Sequence, residues 1–301
     1  SAGKVPTIGS FLQKVPAIGS FGNDFPLHDC YIAAMIKLPP DYHTHTELCR
    51  HAEGRPGDYF RAAAARGLPA VACTDHSPAP DGFDPEHRMT TDEFEVYEQW
   101  FREEQDRHAL PCLFGIEADW YPGCELYMAE WLAAQDFDLV IGSVHYLDYW
   151  AFFHSSIGQL WEREDVGQVW RQYFELIRQL TASGMYDIIG HIDLPKKFGH
   201  RPPDSEFREI VLPVLDVIAG AGTAIEINTS GFFHPVAEAY PSTQILCWAR
   251  ERNIPITFGS DSHKPERVGN RFEDALALAK EAGYAHSLQF SKRRKTLCPL
   301  P

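Results

Sequence analysis

Short apolar runs and longer amphipathic stretches alternate along most of the chain. The apolar runs fall at 35–38, 70–73, 112–116, 139–144, 188–189, 224–227 and 256–258. Near-continuous apolar runs of this length suit strands buried on both faces, as in a parallel sheet. Between them, helices are expected over 58–66, 91–107, 125–134, 167–182, 204–219, 243–252 and 270–282. Thr91 and Asp204 serve as start signals, and Gly67, Gly184, Gly220 and Gly283 stand where helices stop. Alternation repeated seven times predicts a parallel β/α architecture, with an open sheet and a closed barrel both compatible with the string.

The first 34 residues break this pattern. Lys4-Val5-Pro6-Thr7-Ile8-Gly9-Ser10-Phe11 recurs as Lys14-Val15-Pro16-Ala17-Ile18-Gly19-Ser20-Phe21. Two copies of so short a unit cannot build a solenoid. The expectation is an extension over 1–34 ahead of a single domain at 35–301, with Met35 a candidate native start. A chain of 301 residues is ordinary for one α/β barrel, and 44% hydrophobic content supplies its core.

Charge and cysteine usage narrow the partners. With 42 acidic against 27 basic residues, the net charge of −15 repels phosphate backbones, so no nucleic-acid partner is expected. The seven cysteines (Cys30, Cys49, Cys73, Cys112, Cys124, Cys247, Cys298) form no C-x-x-C pair and fit free thiols in a reducing cytoplasm. No apolar run approaches the roughly 18–20 residues that span a bilayer, and no signal-peptide pattern opens the chain. A cytoplasmic protein without a membrane partner is expected; homo-oligomerisation is left open.

The chemistry lies just after the apolar runs. The first leads into Asp41-Tyr42-His43-Thr44-His45, the second into Thr74-Asp75-His76 and the third into Gly115-Ile116-Glu117. The fourth leads into Gly142-Ser143-Val144-His145, the fifth into Gly190-His191-Ile192-Asp193 and the seventh into Ser260-Asp261-Ser262-His263. The C-terminal ends of barrel strands form one face, so these groups would converge. Residues i and i+2 of an extended chain share a side. His43 with His45, and Asp261 with His263, can therefore aim into one site while Thr44 and Ser262 face away. Imidazoles and carboxylates without thiolate suit zinc, iron or manganese.

These segments, together with Thr46-Glu47-Leu48-Cys49-Arg50-His51-Ala52 and Lys196-Lys197-Phe198-Gly199, resemble the polymerase and histidinol phosphatase (PHP) superfamily, nearest its histidinol-phosphate phosphatase branch. The resemblance runs from about Pro40 to Val268. It implies a distorted seven-stranded β/α (TIM-like) barrel with three divalent metal ions. The first would take His43, His45, Glu117 and Asp261; the second would share Glu117 and add His145 and His191; the third would take His51, His76 and His263. His51 is singled out by the family pattern alone. The implied activity is hydrolysis of a small phosphate monoester, most specifically L-histidinol phosphate in histidine biosynthesis.

Closely spaced divalent ions would activate water and neutralise the phosphoryl oxygens, with Glu117 holding their spacing. Attack by a metal-bound hydroxide needs no covalent phosphoenzyme. Asp75, Asp193 and His234 are unranked candidates for protonating the leaving alkoxide; Asp193 equally suits a hydrogen-bond partner beside His191. Arg267 and Lys197 are the favoured phosphate contacts among a group that also holds Arg163, Lys196, Arg201 and Lys264, and Asn228 is expected to line the pocket. The aromatic-rich stretch 146–161 suits core or interface packing, or an apolar wall. Competing readings are a PHP-type phosphoesterase acting on phosphotyrosine or nucleotides, a non-catalytic metal-binding module, and an amidohydrolase-type barrel. The module would be marked by lost ligands and the amidohydrolase by a strand-end lysine; neither mark is present.

Overall fold

Six of the apolar runs become strands in the computed structural model, which describes residues 37–79, 82–147, 151, 161 and 164–301. The strands are β1 (Val71–Cys73), β2 (Cys112–Asp119), β3 (Leu139–Ser143), β4 (Ile188–Ile189), β5 (Ala224–Asn228) and β6 (Ile256–Gly259). They lie side by side in chain order, every neighbouring pair parallel. Parallel neighbours need long crossovers. Helices α2 (Thr91–Glu104), α3 (Glu125–Ala133), α4 (Val166–Ala182), α5 (Asp204–Ala221) and α6 (Thr243–Glu251) supply them, with α1 (Pro56–Arg66) before β1 and α7 (Phe272–Glu281) after β6. Thr90, not Thr91, caps α2 through a reciprocal bond with Glu93. Likewise α5 runs past Gly220 and stops at Gly222, whose φ of 66° is left-handed.

The first apolar run departs from expectation. Its described residues, Lys37 and Leu38, are not in a strand. Pro39 and Pro40 follow, and proline has no N–H to offer a ladder. Pairing starts at Asp41, whose N–H donates to Ala70 O at 3.1 Å and whose carbonyl accepts from Ala72 at 2.8 Å. On the other side, Tyr42 N–H donates to Phe258 O (3.0 Å) and His45 N–H to Ser262 O (2.9 Å). The sheet therefore curls until its two edges, β1 and β6, flank the same segment, 41–45.

Alternation within the strands separates two apolar layers. Val71, Cys73, Val140, Ile189 and Ile225 join the larger core shared with the helices. Ala72, Leu113, Leu139, Ile141, Ile188 and Ala224 point the other way and pack with Tyr42, Leu288 and Phe290. Leu288 and Phe290 belong to a hairpin unforeseen in the sequence, β7 (His286–Ser291) and β8 (Arg294–Pro299). Its two-residue turn holds Lys292 and Arg293 at φ 47° and 61°, without the Asn-Gly signal that usually marks such turns. Asp138 compensates by accepting from both backbone N–H groups at 2.8 Å.

Candidate metal centre

Continuing the inner alternation toward the C-terminal strand ends turns apolar positions into polar ones. Leu113 is followed at even spacing by Glu117 and Asp119, Ile141 by Ser143, and Ala224 by Glu226 and Asn228, all buried. The inner face of the curled sheet thus carries a hydrocarbon plug at one end and a buried polar cluster at the other.

Glu117 sits at the centre of that cluster, 1% exposed. Its Oε2 approaches His76 Nδ1 at 3.0 Å and His43 Nε2 at 3.3 Å, while Oε1 lies 3.1 Å from His191 Nε2. His45 Nε2 stands 3.1 Å from Asp261 Oδ1. His145 and His191 face each other Nε2 to Nε2 at 3.2 Å, and His51 and His263 do the same at 3.0 Å. All nine residues are thereby brought together. Several triads, including His43–His45–Glu117, His45–His76–His263 and Cys49–His51–His263, have their ligand atoms mutually within 4.8 Å. Thr44 and Ser262 face away as expected, donating to Ala72 O and Lys264 O.

Backbone conformation, as well as period, sets the ligand directions. Asp261 has φ 53°, so the extended i, i+2 rule does not place it beside His263; a left-handed bend does. His51 is reached through Arg50, left-handed at φ 71°, which ends the turn anchored by Thr46 on Asp75. Two glycines admit the cluster. A Cβ at Gly190 would collide with Ser143 Oγ, and one at Gly259 would collide with Glu226 Oε1 and lie 2.6 Å from His43 Cβ.

A second layer orients the imidazoles, and most of it went unforeseen. Glu226 accepts from His43 Nδ1 at 2.7 Å, from the backbone of His191 at 3.1 Å and from Asn228 at 3.0 Å. Asp119 accepts from His145 Nδ1 at 2.5 Å and pairs with buried Arg88. Such partners fix the tautomer and raise ligand basicity. The signal for Glu226 was a lone carboxylate between two isoleucines of an apolar run, in phase with Asn228.

Three candidates are not at the cavity. Asp75 lies beneath His45, 3.5 Å from its Nδ1, and accepts from Thr46 and from the His76 N–H. Asp193 is fully buried, 3.1 Å from Lys196 Nζ and accepting from Ser242 N–H at 2.8 Å. Asn228 bridges Glu226 and Asp261 instead of lining the pocket. By contrast His234, Lys197 and Arg267 do line the cavity of about 550 Å³ above the cluster, with Ser230 and Phe233. Lys196 and Arg201 are engaged by Glu238, and Lys264 by Glu53. Arg163 and most of 146–161 lie outside the described residues; Tyr146 meets Phe83 edge-on and Trp161 stacks on His200.

Electrostatics distinguish the donors. Burial, with His45 nearby, holds His76 and His263 well below their ordinary pKa, and His51 is also lowered, so these rings stay neutral as ligands must. Burial opposes charge on both His43 and His45, but Glu226, Glu117 and Asp261 outweigh it at His43, and Asp261, Asp75 and Glu117 at His45, so both are raised. Burial likewise opposes ionisation of Glu117 and Asp261, yet the surrounding imidazoles keep both carboxyls well below the usual range. Glu117 Oε2 and His43 Nε2 are buried, close, and without a hydrogen-bond partner. Orphaned buried polar atoms are costly. Opposed imidazole nitrogens and unpartnered carboxylate oxygen fit divalent cations, which would satisfy both.

The PHP domain model matches residues 41–230, and the PHP-associated model matches 243–272. The chain belongs to the PHP domain family. Within it, the chain falls on the histidinol-phosphatase branch: a probable histidinol-phosphatase of Deinococcus radiodurans is 42% identical over 245 residues, 81% of this chain and 93% of that one. The histidinol-phosphatase of Bacillus subtilis is 28% identical over 261 residues, covering 78% and 97%. A solved structure of histidinol phosphate phosphatase from Lactococcus lactis, complexed with zinc, L-histidinol and phosphate, shares the fold. Its TM-score is 0.70 at 23% identity, over 87% of this chain and 99% of that one. Among the described residues, no helix is long and apolar enough to cross a membrane.

Proposed function

We propose that the chain hydrolyses L-histidinol phosphate to L-histidinol and phosphate at a centre of three divalent ions. The supporting observation is the convergence of seven imidazoles, Glu117 and Asp261 beneath one cavity, with Glu117 Oε2 buried and unpartnered. His43, His45, Glu117 and Asp261 would hold the first ion, Glu117, His145 and His191 the second, and His51, His76 and His263 the third. Zinc, iron and manganese suit this donor set. When bound, such ions activate water and neutralise phosphoryl oxygens. We also read 35–301 as one PHP-type domain behind an extension of 1–34, and segment 41–45 as the seventh stave of a barrel.

The test is a substrate panel on metal-reconstituted protein. Histidinol phosphate should exceed phosphotyrosine and simple nucleotides in kcat/KM by orders of magnitude. Comparable rates on all three would sink the assignment.

Lys197 and Arg267 are the cavity's phosphate contacts in this reading, and His234 between them supplies the leaving alkoxide's proton. Burial, then Lys197, lowers the pKa of His234 to about 4, and Arg267 lowers it too. Phosphate seated against those cations offsets their effect and restores the ring's affinity for a proton. His234→Ala should therefore lower kcat/KM on alkyl phosphates by about 10²-fold or more. On p-nitrophenyl phosphate, whose leaving group needs no proton, it should have little effect; equal losses on both would remove His234 from that role.

A further inference from the structure

The cavity above the metal cluster has two electrostatic poles. Lys197, His234 and Arg267 follow β4, β5 and β6, and Arg267 lies over the ring of Phe233 at 5.2 Å. This pole is cationic. On the β2–β3 side the wall is made by the loop after β1, whose Phe83 stacks on Tyr121 at 4.6 Å and meets Tyr146 at 4.8 Å. Asp84, His87 and Arg88 of that loop line the cavity. Arg88 is shared between Asp119 beneath it and Asp84, so two carboxylates face one guanidinium and this wall keeps a surplus negative charge; Tyr146 also hydrogen-bonds Asp84.

Asp84 is also held in place. Arg88, 3% exposed, donates to Ser77 O at 3.1 Å, pairs with Asp119 and lies 3.5 Å from Asp84. His87 Nδ1 donates to Asp84 Oδ1 at 2.7 Å. The loop is thus clamped to the strand ends through the same Asp119 that orients His145. A carboxylate fixed in this way, on the loop after β1 while the phosphate contacts follow β4 and β6, matches a substrate that carries an ammonium group beside its phosphate ester.

We infer that Asp84, with His87, forms a specificity subsite for the primary ammonium group of a phosphorylated amino alcohol. This rests on the phosphatase reading above and names the part of the substrate that the metal cluster cannot distinguish. The phosphoryl group lies toward Lys197 and Arg267, and the ammonium donates to Asp84 across the cavity. Losing a charge-assisted hydrogen bond of this kind costs about 10- to 100-fold in affinity.

The test compares histidinol phosphate with its des-amino analogue, 3-(imidazol-4-yl)propyl phosphate, on the metal-loaded full chain. The native protein should prefer the amine-bearing substrate at least tenfold in kcat/KM. Asp84→Asn should collapse that ratio toward one, acting through KM for histidinol phosphate, while Asp84→Glu, which keeps the charge, should retain a preference. No preference in the native protein, or equal loss on both substrates in the variants, overturns the subsite and leaves the phosphatase reading intact. Failure of the native protein to hydrolyse histidinol phosphate overturns both.

Discussion

Glu117→Gln is expected to lower kcat by on the order of a thousandfold or more, the scale of losing a key electrostatic contact in a dry site. The substitution keeps the shape of the side chain and removes its charge. Three imidazoles, His43, His76 and His191, approach this one carboxylate within 3.3 Å. In the proposed centre Glu117 serves two ions, so elemental analysis should find at most one tightly held ion per chain in the variant against three in the native protein. A variant that kept its full metal complement and native turnover would remove Glu117 from the centre.

The second large effect comes from a residue with no functional group. Gly259→Ala should unfold the protein ~5 °C earlier or more, given the usual cost of overpacking a tight core, and should strip it of metal. The added methyl would meet the Glu226 carboxylate and the His43 Cβ from the neighbouring chain segments. Neither can yield cheaply: Glu226 is already committed to His43, His191 and Asn228. Gly220→Ala is the control, because that Cβ would point into open space in the last turn of α5. It should be neutral or mildly stabilising. Thermal melts and metal content of the two variants together decide the matter; matching behaviour would mean that Gly259 is not a packing constraint on the site.

Where helices and strands lie was largely legible because both periodicities were present in the chain. The strand-end histidines were legible for the same reason, since a polar residue that closes an apolar run sits where a parallel sheet exposes its functional face. What stayed hidden depended on which side of a strand faces inward. The run at β4 is two residues long, and alternation cannot be phased on so little. Asp193 and Asp75 therefore looked as eligible for the cavity as His191 and His76, whereas the folded chain turns both carboxylates underneath. Glu226 was hidden inside an apolar run, and Asp119 lay three residues beyond the assigned end of its strand. Asp84 and Arg88 sit in a loop with no period at all, and only tertiary contacts give them a place. The β7–β8 hairpin was missed because its turn draws its stability from Asp138, over 150 residues away in sequence.

Segment 41–45 has a consequence for how the protein comes into being. His45 and Asp261 are 216 positions apart, and the backbone bonds that align them join the start of the domain to the end of its sheet. Such long-range closure is slow and comes after local structure has formed. A nascent chain emerging from the ribosome can build β1 through β5 and their helices while it still lacks Asp261 and His263. His43 and His45 must wait for these partners until synthesis has passed β6. In the proposed centre, full metal loading would thereby be tied to the last stage of folding.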